Sequence, residues 1–122
     1  MSGKKSAPQV RRPLSPTVLH ILLALVEAPR HGYAIKQEAE SRSEGAVRLG
    51  PGTLYEAIQR LQDSGLIRET DASDDPVNGQ EAQRRYYALT PRGRRILRQE
   101  IEQLGRLVDY ARTKPGLDQG VA

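Results

Sequence analysis

Residues 50–67, GPGTLYEAIQRLQDSGLI, hold a complete helix together with its entry and its exit. Gly50-Pro51-Gly52-Thr53 punctuates the chain, and a helix is expected from about Thr53 to Ser64. Leu54, Ile58 and Leu61 recur at the i, i+4, i+7 spacing of one helical face. Gly65 is placed to end the helix in a left-handed C′ conformation. At ~100° per residue the opposite face carries Thr53, Glu56, Gln59, Arg60 and Asp63, with Tyr55 and Gln62 at the boundary. Leu66-Ile67-Arg68-Glu69-Thr70 then reads as a strand.

Working upstream, Ser15 is a good N-cap and Pro16 suits the first helical position, where its missing N–H costs nothing. Val18, Leu19, Ile21, Leu22, Leu23, Leu25 and Val26 make this helix apolar almost all the way round, which places it at the centre of a small domain. Pro29 is expected to stop it. His31-Gly32-Tyr33 reads as a turn, followed by a thinly apolar helix from Tyr33 to Ser43 that rests on the first. Ala46–Leu49 reads as a short extended piece.

Downstream, residues 71–83 form a long polar loop with turn signals at Asp75-Pro76 and Asn78-Gly79. Arg84–Leu89 is the returning strand of an antiparallel hairpin, and its Tyr86 and Tyr87 point to opposite faces, one of them into the core. Thr90-Pro91 is a second cap-plus-proline start, opening a helix that runs to about Thr113. Leu97, Ile101, Leu104, Val108 and Ala111 are spaced 4, 3, 4, 3, a heptad seam that Ile96 and Leu107 broaden. Lys114-Pro115-Gly116 ends it.

Helix, helix, short strand, helix, hairpin, long helix is the order of a winged helix-turn-helix, mainly α with a small β-hairpin. The expected organisation is a flexible basic arm over 1–13, a winged domain over 14–90 with its wing at 66–89, a C-terminal self-association helix over 91–114, and a disordered tail over 115–122. In this architecture the third helix normally enters the major groove of duplex DNA.

Composition narrows the alternatives. The chain has 122 residues and a mass of 13.5 kDa, enough for one small domain. It has no Cys, which excludes disulfides, thiolate metal sites and a Cys nucleophile. The longest apolar run, Ile21–Val26, is far short of the ~20 residues that span a bilayer, and the first residues lack the apolar stretch of a signal peptide. A cytoplasmic protein without a membrane partner is the expectation. His20 and His31 have no carboxylate at ligand spacing, and there is no nucleophile elbow or phosphate-cradling glycine loop. Neither an enzyme, nor a metal, nor a cofactor is expected.

Charge supplies the case for a polyanionic partner. The formal net charge is +4 and the pI about 9.7. Residues 84–98 contain Arg84, Arg85, Arg92, Arg94, Arg95 and Arg98 and no acid. Cations at a helix start oppose the macrodipole, by roughly a few tenths of a kcal/mol each. Either a phosphate backbone compensates them, or they are solvated or pair with acids such as Glu100 and Glu102. The loop before Arg84 carries Asp71, Asp74, Asp75 and Glu81 and no base, so Arg84 and Arg85 at the wing's root, rather than its tip, are the expected DNA contacts. Thr53, Gln59 and Arg60 are the candidates on the third helix: Gln pairs with adenine, Arg with guanine, and Thr holds a phosphate. The bland alternative is a plain solvated face. Tyr55 is either a phosphate contact or a boundary core residue. Lys36 either grips the backbone or is a surface lysine. The outward member of the Tyr86/Tyr87 pair is a candidate for DNA or for an effector site.

Three stretches together carry a resemblance to a known family: LHILLALVEAPRHGYAIKQ, GPGTLYEAIQRLQDSGLI and RRYYALTPRGRRIL, in that order, across residues 14–98. The chain resembles the PadR-like transcriptional regulators. The resemblance implies a homodimeric winged-helix repressor of a palindromic operator, dimerised through the C-terminal helix, which agrees with the Leu97–Ala111 seam. Some members are released by small phenolic or hydrophobic effectors, so such a molecule joins double-stranded DNA and a second copy of the chain as a candidate partner. Glu56 stands where many members have Pro after the tyrosine, and the last helix lacks the Trp of members that bind flat drugs. The acidic wing and Glu56 keep one alternative in view, a winged-helix protein–protein interaction module without specific DNA binding.

Overall fold

The computed structural model describes residues 13–71 and 85–117. Helix α1 (Pro16–Ala24) starts as its sequence dictates, with the Ser15 hydroxyl accepting from the Val18 N–H at 3.1 Å and Pro16 in the first turn. It ends at Leu25, well before Pro29. At that end Arg30 Nε donates to the Ala24 carbonyl at 2.7 Å, and the Leu25 and Val26 N–H groups tighten back onto Leu22 and Leu23. A side chain thus satisfies the helix end that proline was expected to enforce.

The short strand lies elsewhere than expected. Strand β1 is Arg30–His31, overlapping at His31 the segment read as a turn, whereas residues 46–49 form no ladder. There the Val47 N–H donates to Ser43 Oγ and the Leu49 N–H to Glu40 Oε2, both at 2.9 Å, so side chains occupy the groups a strand would need. Val47 and Leu49 are nonetheless buried in the core. Helix α2 (Gly32–Arg42) follows β1 directly, capped by His31, whose Nδ1 accepts from the Ala34 N–H at 3.2 Å.

Helix α3 (Pro51–Asp63) begins two residues earlier than the sequence suggested, because Gly50 serves as the N-cap and Pro51 as the first helical residue. Leu54, Ile58 and Leu61 are its buried face. Gly65, at φ 77°, supplies the left-handed exit, and the Leu66 N–H returns to the Leu61 carbonyl at 2.9 Å.

Strands β2 (Ile67–Thr70) and β3 (Tyr86–Leu89) form the wing's root in antiparallel register, Ile67 opposite Leu89 and Thr70 opposite Tyr86. β1 adds to the other edge of β3, giving the order β1-β3-β2. All four residues of this central strand are buried, so both tyrosines are covered, contrary to the expectation that one would face outward. Tyr87 joins the main core, and Tyr86 meets the His31 ring edge-on at 5.5 Å.

Helix α4 (Pro91–Ala111) is capped by Thr90, whose hydroxyl accepts from the Gly93 N–H at 2.9 Å. Its first turns pack on the core through Ile96 and Leu97. Glu100 is turned inward and accepts from the Leu14 N–H at 3.3 Å, rather than lying on the surface among the arginines. Beyond it the helix leaves the domain. The expected arm and wing loop fall on residues outside the described ones, apart from their margins, and so does the tail beyond Leu117.

Candidate nucleic-acid interface

The same rotation that buries Leu54, Ile58 and Leu61 turns Thr53, Glu56, Gln59 and Arg60 to solvent on α3. Gln59 is held by its own helix, Nε2 donating to Asp63 Oδ1 at 3.1 Å. Arg60 lies in the last turn, where a cation favours the helix dipole. Tyr55 resolves its two readings toward the surface, at 51% exposure. Its ring leans on Gly32: a Cβ there would meet the phenol hydroxyl and lie 2.9 Å from Cζ.

Around that contact lies a cavity of about 240 Å³, lined by His31, Gly32, Tyr33, Tyr55, Arg85 and Tyr87. Arg85 projects from the start of β3, 73% exposed along its side chain, and its Nε lies 3.4 Å from Glu69 Oε2 across the hairpin. Burial, and then the Glu69 carboxylate, push the Tyr87 phenol above its ordinary pKa, so it keeps its proton. Arg84 lies outside the described residues. Tyr33, read as part of α2's apolar content, is 56% exposed on the cavity rim. The HGY triplet was visible in the sequence, but only the fold brings it beside Tyr55 and Tyr87.

Lys36 is engaged with Glu40, Nζ to Oε1 at 3.0 Å. The Leu49 N–H and then Lys36 hold the Glu40 carboxyl below its usual pKa. Two arginines of the basic cluster have structural work. Arg92 Nε donates to the Ser64 carbonyl at 3.2 Å, beyond the end of α3, and Arg94 Nη2 to the Val26 carbonyl at 3.4 Å. Both neutralise carbonyls rather than standing free for an anion.

The seam divides at Glu100. Leu97 is 5% exposed and belongs to the domain core, which leaves it no surface for a partner. Ile101 and Val108 are exposed, Leu104 and Ala111 half-buried, and Leu107 and Tyr110 widen the apolar face. Among the described residues no helix is long and apolar enough to cross a membrane, and no cluster of His, Asp and Glu could hold a metal ion.

Residues 21–99 match the model of the transcriptional regulator PadR-like family. The chain belongs to this family. The transcriptional regulator Rv3488 of Mycobacterium tuberculosis is 38% identical over 93 residues, covering 74% of this chain and 79% of that protein. A 37.1 kDa protein of transposon TN4556 from Streptomyces fradiae is also 38% identical, over 87 residues, covering 71% of this chain. This chain spans 22% of that relative's length. A PadR-family transcriptional regulator from Eggerthella lenta is 32% identical and superposes with a TM-score of 0.57, covering 75% of this chain and 74% of its own. The winged-helix architecture with its long C-terminal helix is shared with solved PadR-family regulators such as this one.

Proposed function

We propose that this PadR-family regulator works as a homodimer that binds a palindromic operator in duplex DNA and represses transcription, α3 reading bases in the major groove and the wing's root holding the backbone. The observation that carries this reading is the exposed polar face of α3 lying beside the Arg85 cavity on one side of a domain of this family. Thr53, Tyr55, Gln59 and Arg60 are the contacts from α3, and Arg84 and Arg85 those from the wing. Lys36 reaches the backbone only by leaving Glu40. Self-association runs through Ile101, Leu104, Val108 and Ala111, with Leu107 and Tyr110 added and Leu97 left to the core. A small phenolic or hydrophobic effector that changes this dimer would release the operator.

Sequencing the genomic fragments retained by the purified protein tests the reading. Enriched fragments should share a palindrome whose half-sites are about one helical turn, ~34 Å, apart or a multiple of it. Binding should weaken by ~0.9 log units per log unit of salt for each phosphate neutralised. A protein that sediments as a monomer and ignores duplex DNA in dilute buffer would overturn it.

A further inference from the structure

We propose that Asp63 decides which base Gln59 accepts: its carboxylate fixes the orientation of the Gln59 amide, and so selects adenine over guanine at one position of each half-site. The inference rests on the DNA-binding reading and adds to it a specificity-determining residue that acts through the reading side chain. A free glutamine can turn its amide over, offering either N–H groups or the carbonyl as the partner demands. Gln59 is denied that choice. It is exposed on α3 one turn before Asp63, and its Nε2 donates to Asp63 Oδ1 at 3.1 Å. An ionised carboxylate only accepts, so the reversed amide would set Oε1 against it, and the N–H side stays at Asp63. Left for a base are one acceptor, Oε1, and one donor, the second N–H.

In the major groove that pair of groups fits adenine, whose N6 donor lies next to its N7 acceptor. Guanine presents two acceptors, O6 and N7, and Oε1 would have to face one of them. An unheld glutamine could turn both N–H groups to guanine, or one to the thymine O4. Donation to a carboxylate also draws negative charge onto Oε1, the mutual strengthening of hydrogen bonds in a chain, which favours the adenine N6 donor further.

The position of Asp63 argues for this role and against one in helix stability. It is the last residue of α3, where a carboxylate opposes the macrodipole and a cation would serve the helix better. An exposed Gln–Asp pair one turn apart returns little to the helix. Arg60, exposed three residues before Asp63, makes no ion pair with it or with Glu56 among the described residues, so the carboxylate holds the neutral amide and leaves the guanidinium free for DNA. A carboxylate on this face also repels phosphates, which costs affinity for every sequence and is justified only by discrimination among them.

The test selects a library of random-sequence duplexes on the purified wild-type protein and its variants and sequences what each retains, with thermal unfolding as the check on folding. Gln59→Ala marks the position: the wild-type motif should lose an adenine there and keep its other positions. Asp63→Asn removes the charge, and because Asn donates as readily as it accepts, either amide orientation is satisfied. This variant is expected to unfold at no lower temperature than wild type and to bind duplex at least as tightly. Its preference for adenine over guanine at the marked position should fall ~10-fold, with the rest of the motif unchanged. The double variant should lose no more preference there than Gln59→Ala alone. Asp63→Asn with the wild-type preference intact, a marked position that is not adenine, or a Gln59→Ala that moves no position would each overturn the role of Asp63 and leave the DNA-binding reading standing. Loss of affinity and thermal stability together in Asp63→Asn would make Asp63 a structural residue and overturn it as well. Wild-type protein that retains no duplex from the library would overturn both readings.

Discussion

Thr90 Oγ1 donates to the Gly65 carbonyl at 2.6 Å, tying the cap of α4 to the residue that ends α3, 25 positions away. The Thr90 N–H meets the Leu66 carbonyl at 3.1 Å, and Arg92 reaches Ser64, so three consecutive carbonyls after α3 are held by α4's first residues. Removing this hydroxyl takes away a helix cap and one partner of a partly buried carbonyl together. Thr90→Val should lower stability by about 1–2 kcal/mol, and Thr90→Ser should restore most of it, read by urea unfolding.

Gly93 stands against the same junction. A Cβ there would run into the Leu66 carbonyl, with the carbonyl carbon 2.9 Å away. Ala is the better helix former by ~1 kcal/mol, yet backbone cannot move aside as a flexible side chain can. Gly93→Ala is therefore expected to destabilise by about 1–3 kcal/mol, a fall of several degrees in Tm. Gly105, in the same helix with nothing within 4 Å, should show the opposite sign on substitution by Ala.

Leu97 and Leu104 occupy the same sequence seam but different environments. Leu97→Ala should cost ~2–5 kcal/mol of domain stability through the cavity it leaves. Leu104→Glu should leave the domain folded by circular dichroism and convert the proposed dimer to monomer in sedimentation, because it introduces a charge where a partner helix would bury it.

Acid should act through Glu40. Its carboxyl is held below the usual range by the Leu49 N–H and Lys36, so the folded state binds its proton less readily than the unfolded chain. That contribution is present in full above the ordinary carboxylate pKa of about 4.3 and is lost as pH falls through the depressed value. Glu40→Gln should be less stable than the natural protein at pH 7, with the gap in Tm closing as pH is lowered below 4.

The elements legible in the sequence were those whose evidence is local. Leu54, Ile58 and Leu61 announce α3, and Ser15-Pro16 and Thr90-Pro91 announce the starts of α1 and α4. Strand β1 was not legible, because two residues carry no periodicity and Arg30–His31 is a strand only by virtue of β3, more than fifty positions later. For the same reason Tyr86 and Tyr87 could not be recognised as both buried. The seam misplaced Leu97 because a 4, 3, 4, 3 spacing describes one helical face without telling whether that face meets its own domain or another molecule. The Arg85 cavity draws on three separate segments, 31–33, 55 and 85–87; of its six residues Tyr55 and Arg85 were singled out beforehand as contacts, and Tyr87 only as one of a pair.

Helix α4 is also a lever. Its 21 residues extend ~32 Å at ~1.5 Å per residue, with a fulcrum welded to the end of α3 and a free arm beyond Glu100. Thr90 and Arg92 are bonded to the end of α3 and Gly93 lies against Leu66, so tilting the whole helix by five degrees about Thr90 would carry its tip ~3 Å and press directly on that junction. A small wedge or brace at the distal end would therefore load the junction that carries the exposed polar face of α3.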